Sequence, residues 1–440
     1  MIRHLRIDRS ARAQALRPCA LALAACALAL LAGCVRVQVH GAPAQARAAA
    51  DAGAEADAPT LRVATFNTSL NDDAEGGLIR RLQSGDANAR SIARVLQRVR
   101  PDLVLLNEFD YDEAHRAADL FQRDYLEVAQ GDGAPLRYPY RYLAPVNTGV
   151  QSGLDLDNNG RVGGEGRDRG NDAWGYGLHP GQYGMLVLSR YPLDAAHVRS
   201  FRLLKWSAMP DAQRPYSPTQ RGYYYNDATW AQLRLSSKSH WDVPVDTPLG
   251  RLHFLVSHPT PPTFDGPEDR NGARNADELR LWAAYLDDRA EDRGWLCDDA
   301  GVCGGLPSGE RFVLAGDLNN DPNDGDGRHD AIRALIDHPR MLKPYVAPRS
   351  EGAAAAARDA GGANVGQHGD PAEDTGDFGP KVGNLHIDHV LPSQGFRRTG
   401  GGVFWPAAGA PDAALSTASD HHAVWIDLSD IDASNVDRPR

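Results

Sequence analysis

The stretch "RFVLAGDLNNDP", Arg311 to Pro322, decides how the chain folds. Phe312 to Ala315 form a short apolar run, the signature of a strand buried on both faces. Asp317, Asn319, Asn320 and Asp321 follow within six residues of its end. A buried strand that runs straight into carboxylates and amides places polar chemistry at a sheet rim, where a rigid scaffold can hold it.

The pattern recurs along the chain. Leu61–Phe66 ends at Asn67, and Leu103–Leu106 ends at Asn107 and Glu108. Leu252–Val256 ends at Ser257 and His258. Ile387–Leu391 carries Asp388, and Asp420 and His421 lead into Ala423–Ile426. Met185–Leu188 is a further strand candidate. Between the first two strands Ile92, Val95, Leu96 and Val99 have helical spacing, and Pro101 follows the helix end. Asn275–Asp287 reads as a helix with Asn275 as N-cap and Glu278 reaching back to it. Buried strands alternating with helices indicate an α/β fold.

Glu108, Asp317 and Asp420 with Asn67 and Asn319 are hard oxygen donors, which suit Mg²⁺ or Mn²⁺ better than Zn²⁺. His258 and His421 add proton transfer near neutral pH. Together they suggest in-line attack of water on phosphorus. Any one of these residues alone is as readily a strand end, a turn cap or a buried histidine; His386, His389 and His422 are read that way.

Six pieces together resemble the endonuclease/exonuclease/phosphatase superfamily, over about residues 61–428. They are Phe66-Asn67, "PDLVLLNEF" with Glu108, "VSHP" with His258, "GDLN" with Asp317 and Asn319, "IDHVLPS" with Asp388, and "SDHHAVW" with Asp420 and His421. The resemblance implies a four-layer α/β sandwich: two packed mixed β-sheets flanked by helices, of the deoxyribonuclease I type. It implies a divalent-metal phosphoesterase with Glu108 as main metal ligand, helped by Asn67 and Asp420. Asp317 and Asn319 would position nucleophile and phosphate, and His421 would be the base, oriented by Asp388. His258 would donate to the phosphate or act as acid. Asn107, Met185, His386 and Ala423 depart from the usual residues of these motifs.

The remaining chain bounds location and substrate. Arg3, Arg6, Arg9, Arg12 and Arg17 precede an apolar run, Cys19–Ala32, that is short for a transmembrane helix. Its end, Leu31-Ala32-Gly33-Cys34, resembles a bacterial lipobox, with Cys34 as the lipidated residue; the alternative is a plain secretory signal. Residues 1–33 are thus expected to be a signal peptide and 34–60 a flexible tether. Residues 61–428 would be the catalytic domain with long loop insertions, and 429–440 a tail. The expected location is the cell envelope, outer membrane or periplasmic face, with membrane attachment by lipid only.

The chain carries 47 basic and 58 acidic residues, net −11. Such a surface repels polyanions and disfavours a sequence-blind grip on duplex DNA. The expected substrates are a phosphorylated small molecule, a lipid headgroup or nucleic acid. A nuclease is the alternative enzyme, and a non-catalytic binding protein the alternative of another class.

Three local features remain. Cys297 and Cys303 are expected to form a disulfide across a short loop, with two ligands of a zinc site as the alternative. "DLDNNGRVGGEG" spaces Asp155, Asp157 and Asn159 like a calcium loop with Gly160 at its sixth position, but its twelfth is Gly166. Structural Ca²⁺ there, with Glu165 or Asp168 completing the set, competes with a plain acidic loop. Arg270 and Arg274 are either a solvated helix start or a cationic clamp for substrate phosphate. The insertions Gly131–Gly181, Ser207–Gly250 and Ser350–Gly383 are polar, and the last is expected to be loosely looped.

Overall fold

The computed structural model describes residues 59–431. The expected signal peptide, nearly all of the tether, Cys34 and most of the tail therefore lie outside the described residues.

Alternate side chains of the core strands go to different layers, as the pleat requires. Leu61, Val63, Leu103, Leu105, Met185 and Val187 point one way. They meet Leu252, Phe254, Val256, Val313 and Ala315 in the interface between two sheets. Their neighbours Phe66, Val104, Leu106, Leu186 and Leu188 point the other way, onto Ile92, Val95, Leu96 and Val99 of the helix Ala87–Val99. On the far side Leu255, Phe312 and Leu314 pack on Leu279, Trp282 and Leu286 of the helix Arg270–Asp287. The result is helix, sheet, sheet, helix: the expected four layers. Strands apolar on both faces are explained because both faces are covered.

The first sheet has six strands in the order Phe396–Val403, Val424–Asp430, Thr60–Asn67, Leu103–Asn107, Met185–Ser189, Tyr140–Tyr142. The second has five: Asp388–Pro392, Phe312–Asp317, Gly250–Ser257, His240–Thr247, Arg199–Ser200. Each contains one parallel pair. Thr60–Asn67 runs parallel to Leu103–Asn107, and Gly250–Ser257 runs parallel to Phe312–Asp317. The other ladders in both sheets are antiparallel. Gly316 is needed for this packing: a Cβ there would lie 2.1 Å from the Ser257 carbonyl oxygen.

Three expectations are corrected. The helix expected from Asn275 starts at Arg270, with Asp269 at its N-cap. Asn275 lies inside it and donates to the Thr260 and Leu318 carbonyls at 2.9 and 3.0 Å. Glu278 does not reach back to Asn275; its oxygens accept from the Ser237 and Thr260 amides at 2.6 and 2.7 Å. Second, the insertion from Ser350 is not wholly looped, because Glu351–Ala360 is an α-helix capped by the Ser350 hydroxyl. Third, His240–Thr247 is a central strand within what reads as an insertion. Among the described residues no helix is long and apolar enough to cross a membrane.

Candidate active site

The parallel pairs bring the polar strand ends to one rim. Asn67 lies opposite Asn107 in the first sheet, so Glu108 follows directly beside it. Asp317 lies opposite Asp388 in the second, and Ala315 pairs with Val256, two residues before His258. Thr65 pairs with Val424, which puts Asp420 and His421 just past the same edge.

Asp317 joins the two sheets. Its Oδ2 accepts from Asn67 Nδ2 at 3.0 Å, and its own amide donates to Asn107 Oδ1 at 3.1 Å. Both partners belong to the first sheet, whereas Asp317 ends a strand of the second. Its Oδ1 accepts from the Asn319 amide at 3.0 Å. His258 Nε2 lies 3.3 Å and His421 Nε2 3.6 Å from Asp317 Oδ2. On its other side, His421 Nδ1 lies 2.8 Å from Asp388 Oδ2, which also accepts from the Thr375 hydroxyl at 2.8 Å. Asp388, His421 and Asp317 thus form a continuous buried chain.

The charges follow from this packing. Burial alone would raise Asp317, but His421, His258 and the hydrogen bond from Asn67 hold it below the ordinary carboxylate range. Burial pushes Asp388 up to about 6, against the pull of His421. Burial would lower His421, yet Asp388 and Asp317 hold it well above an ordinary histidine. Burial and the Lys238 charge lower His258. His258 Nδ1 has no hydrogen-bond partner among the described residues.

Glu108 sits apart from this chain. It is half-buried, its backbone is left-handed at φ 56°, and its Oε2 accepts from Asn71 Nδ2 at 2.9 Å. Such a φ on a non-glycine residue stores strain of the kind found at functional sites. Asp420 is exposed, and its Oδ1 accepts from the Ser69 and Ser419 hydroxyls at 3.3 and 3.4 Å. Asn319, also left-handed at φ 52°, donates to the Pro259 carbonyl.

The expected cationic clamp is not part of this cluster. Arg274 gives Nε and Nη2 to the backbone carbonyls of Leu235, Trp174, Arg234 and Ser236. Arg270 pairs with Glu268 and lies over the Tyr224 ring. Neither is a solvated helix start: both line a cavity of about 400 Å³ that Glu108 also borders. Cys297 and Cys303 are joined by a disulfide. In the calcium-like loop the carboxylates of Asp155, Asp157 and Asp172 gather within 4.8 Å. Asn159 Oδ1 accepts from the Arg161 amide. Asp172 lies beyond the twelve-residue frame, and its oxygens accept from the Leu156 and Gly163 amides at 2.7 and 2.6 Å.

A profile of the Endonuclease/Exonuclease/phosphatase family matches residues 64–421, from the first sheet's Thr60–Asn67 strand to His421. The chain belongs to the endonuclease/exonuclease/phosphatase family. An endonuclease/exonuclease/phosphatase from Beutenbergia cavernae has 20% identity and a TM-score of 0.45, over 84% of this chain and 72% of that one. Sphingomyelinase C from Streptomyces griseocarneus has 18% identity and a TM-score of 0.39, over 84% and 99%. A Staphylococcus aureus beta toxin mutant with bound magnesium ions has 10% identity and a TM-score of 0.41, over 85% and 100%. A search of curated proteins by sequence found no match.

Members of the endonuclease/exonuclease/phosphatase family are hydrolases of phosphoesters that depend on divalent metal. The donors at this rim fit such an ion. Glu108 offers a second oxygen while Asn71 holds the first, and the set is all oxygen. In the tight group of Asp317, Asp388 and His421, Asp388 holds the His421 Nδ1 edge by a hydrogen bond, which suits proton transfer. Sequence reading missed Asn71, Thr375 and Lys238, all in segments without periodicity.

Proposed function

We propose that this chain is an exported, lipid-anchored phosphoesterase that hydrolyses a phosphodiester or phosphomonoester by in-line attack of water. The observation that carries the reading is the buried relay Asp388–His421–Asp317. Asp388 fixes the His421 tautomer, so that Nε2 faces the reaction rim. His421 takes the proton of the attacking water, and Asp317 and Asn319 orient that water and the phosphate. His258, held 3.3 Å from Asp317, donates to the phosphate or acts as acid. Glu108, with Asn67 and Asp420, would hold Mg²⁺ or Mn²⁺. The ion, when bound, offsets the charge that develops on the phosphoryl oxygens. Asn67 already spends its amide on Asp317, so only its carbonyl is offered to a metal.

Asp155, Asp157 and Asp172 are proposed to take Ca²⁺ as a structural ion; equal calcium binding heat in wild type and Asp157→Ala would reject it. The acidic balance of the chain favours small substrates over nucleic acid. The test is hydrolysis of bis-p-nitrophenyl phosphate, p-nitrophenyl phosphate and plasmid DNA with Mg²⁺ or EDTA, beside His421→Ala. Metal-dependent turnover of the small esters, lost in the variant, is expected. Preferred cleavage of plasmid would make the enzyme a nuclease. No turnover by folded protein would favour a binding protein on the same fold.

A further inference from the structure

The cavity beside Glu108 is built largely from insertions. Leu156, Tyr176, Tyr225 and Lys238 line it, and none lies in the six motifs that carry the relay. Its volume, about 400 Å³, is at the small end for ligand pockets and suits a monomeric compound.

Lys238 is 5% exposed, yet its ammonium makes no hydrogen bond or ion pair among the described residues. Its nitrogen is left to the cavity it lines, where an anion would give it the partner that the protein does not. Glu108, Glu278 and Asp317 act on it only from a distance. Two of these are spoken for: Glu278 by two backbone amides, Asp317 by Asn67 and the histidines. The third, Glu108, is the proposed metal ligand, whose charge the ion would offset. Arg274, which also lines the cavity, supplies a second cation. Its Nε and Nη2 are fixed by four carbonyls, which leaves Nη1 as the nitrogen with no bond among the described residues. Aromatic side chains line the cavity too: Tyr225, the more exposed Tyr176, and Trp206, which is buried and gives its Nε1 to Asp277.

We propose that this cavity holds the non-reacting part of a small phosphoester: a ring among its aromatic lining, Tyr176 and Tyr225, bearing a second anionic group, carboxylate or phosphate, on Lys238 and Arg274. This rests on the phosphoesterase reading and deepens it. The reacting phosphate would lie at the rim, on the Glu108 side, and the second anion would be bound without metal.

The test uses three probes that share one ring: phenyl phosphate, 4-carboxyphenyl phosphate and 1,4-phenylene bisphosphate. Each is titrated calorimetrically into the protein in EDTA, where no metal-dependent turnover occurs. Charge-assisted bonds to these cations predict that at least one probe with a second anionic group binds about ten- to a hundredfold tighter than phenyl phosphate. Whichever is tighter identifies the second group. In Lys238→Met, which keeps the stem and removes the charge, the advantage should vanish. Equal affinity of all three probes for wild type would overturn the proposal without any variant. So would an undiminished advantage in folded Lys238→Met. Probe preference without any ester hydrolysis would sink the phosphoesterase reading alone, and hydrolysis without preference would sink this one alone.

Discussion

The proton relay turns on a single imidazole. His421 is held well above its ordinary pKa by Asp388 and Asp317. A general base must be unprotonated, so kcat/KM should rise with pH through that raised value, beyond the ordinary histidine range. Asp388→Asn removes the strongest partner that raises it. The limb should then move to lower pH, and kcat should fall about 10²-fold or more; an unmoved pH profile would show that another group is the base. Asn71 tests the metal side. It holds one oxygen of Glu108. Asn71→Ala should weaken Mg²⁺ activation about 10- to 100-fold, read from the Mg²⁺ dependence of turnover. Residues of the relay were legible in sequence because each ends or begins an apolar run. Asn71 and Thr375 were not, since loop residues carry no period and only tertiary contact reveals them.

Elements were legible where burial is symmetric. The strands at Leu103, Met185 and Phe312 are apolar on both faces, and sequence placed them within a residue or two. Phe396–Val403 was missed because its run Gly400-Gly401-Gly402 reads as a turn, yet it pairs along the first sheet with a register shift near Arg398. His240–Thr247 was missed because Asp242 and Pro244 break its apolar pattern; Asp242 is nonetheless buried, bonded to His253 and Tyr285. The helix Arg270–Asp287 was begun too late because its buried Asn275 and Glu278 imitate a capping box. Their true partners are loop backbone groups. Glu278→Ala would strand the Ser237 and Thr260 amides in the interior, at a cost of about 2–4 kcal/mol. Urea denaturation should show a lower midpoint with an unchanged slope.

At the scale of the whole molecule, charge sets what can approach. With net −11, the chain meets polyanions against a repulsive field. Any cleavage of duplex DNA should therefore speed up with moderate salt, as screening removes that repulsion. Turnover of a small monoanion such as bis-p-nitrophenyl phosphate should change little; a steep fall of DNA cleavage with salt would instead reveal a basic groove. Two-faced strands and intervening helices made the α/β class legible, and the four layers followed only from the resemblance of the six motifs. The cavity beside Glu108 was not legible, because it is made by chain segments far apart in sequence. The bond from Asn67 to Asp317 has a mechanical meaning. One carboxylate is anchored to both halves of the sandwich, so the enzyme's output is a gauge of how the two sheets sit on each other. A slip of one ångström between them would leave every ladder intact and would still silence the chemistry. Warmed gradually, the protein should stop working before it begins to melt.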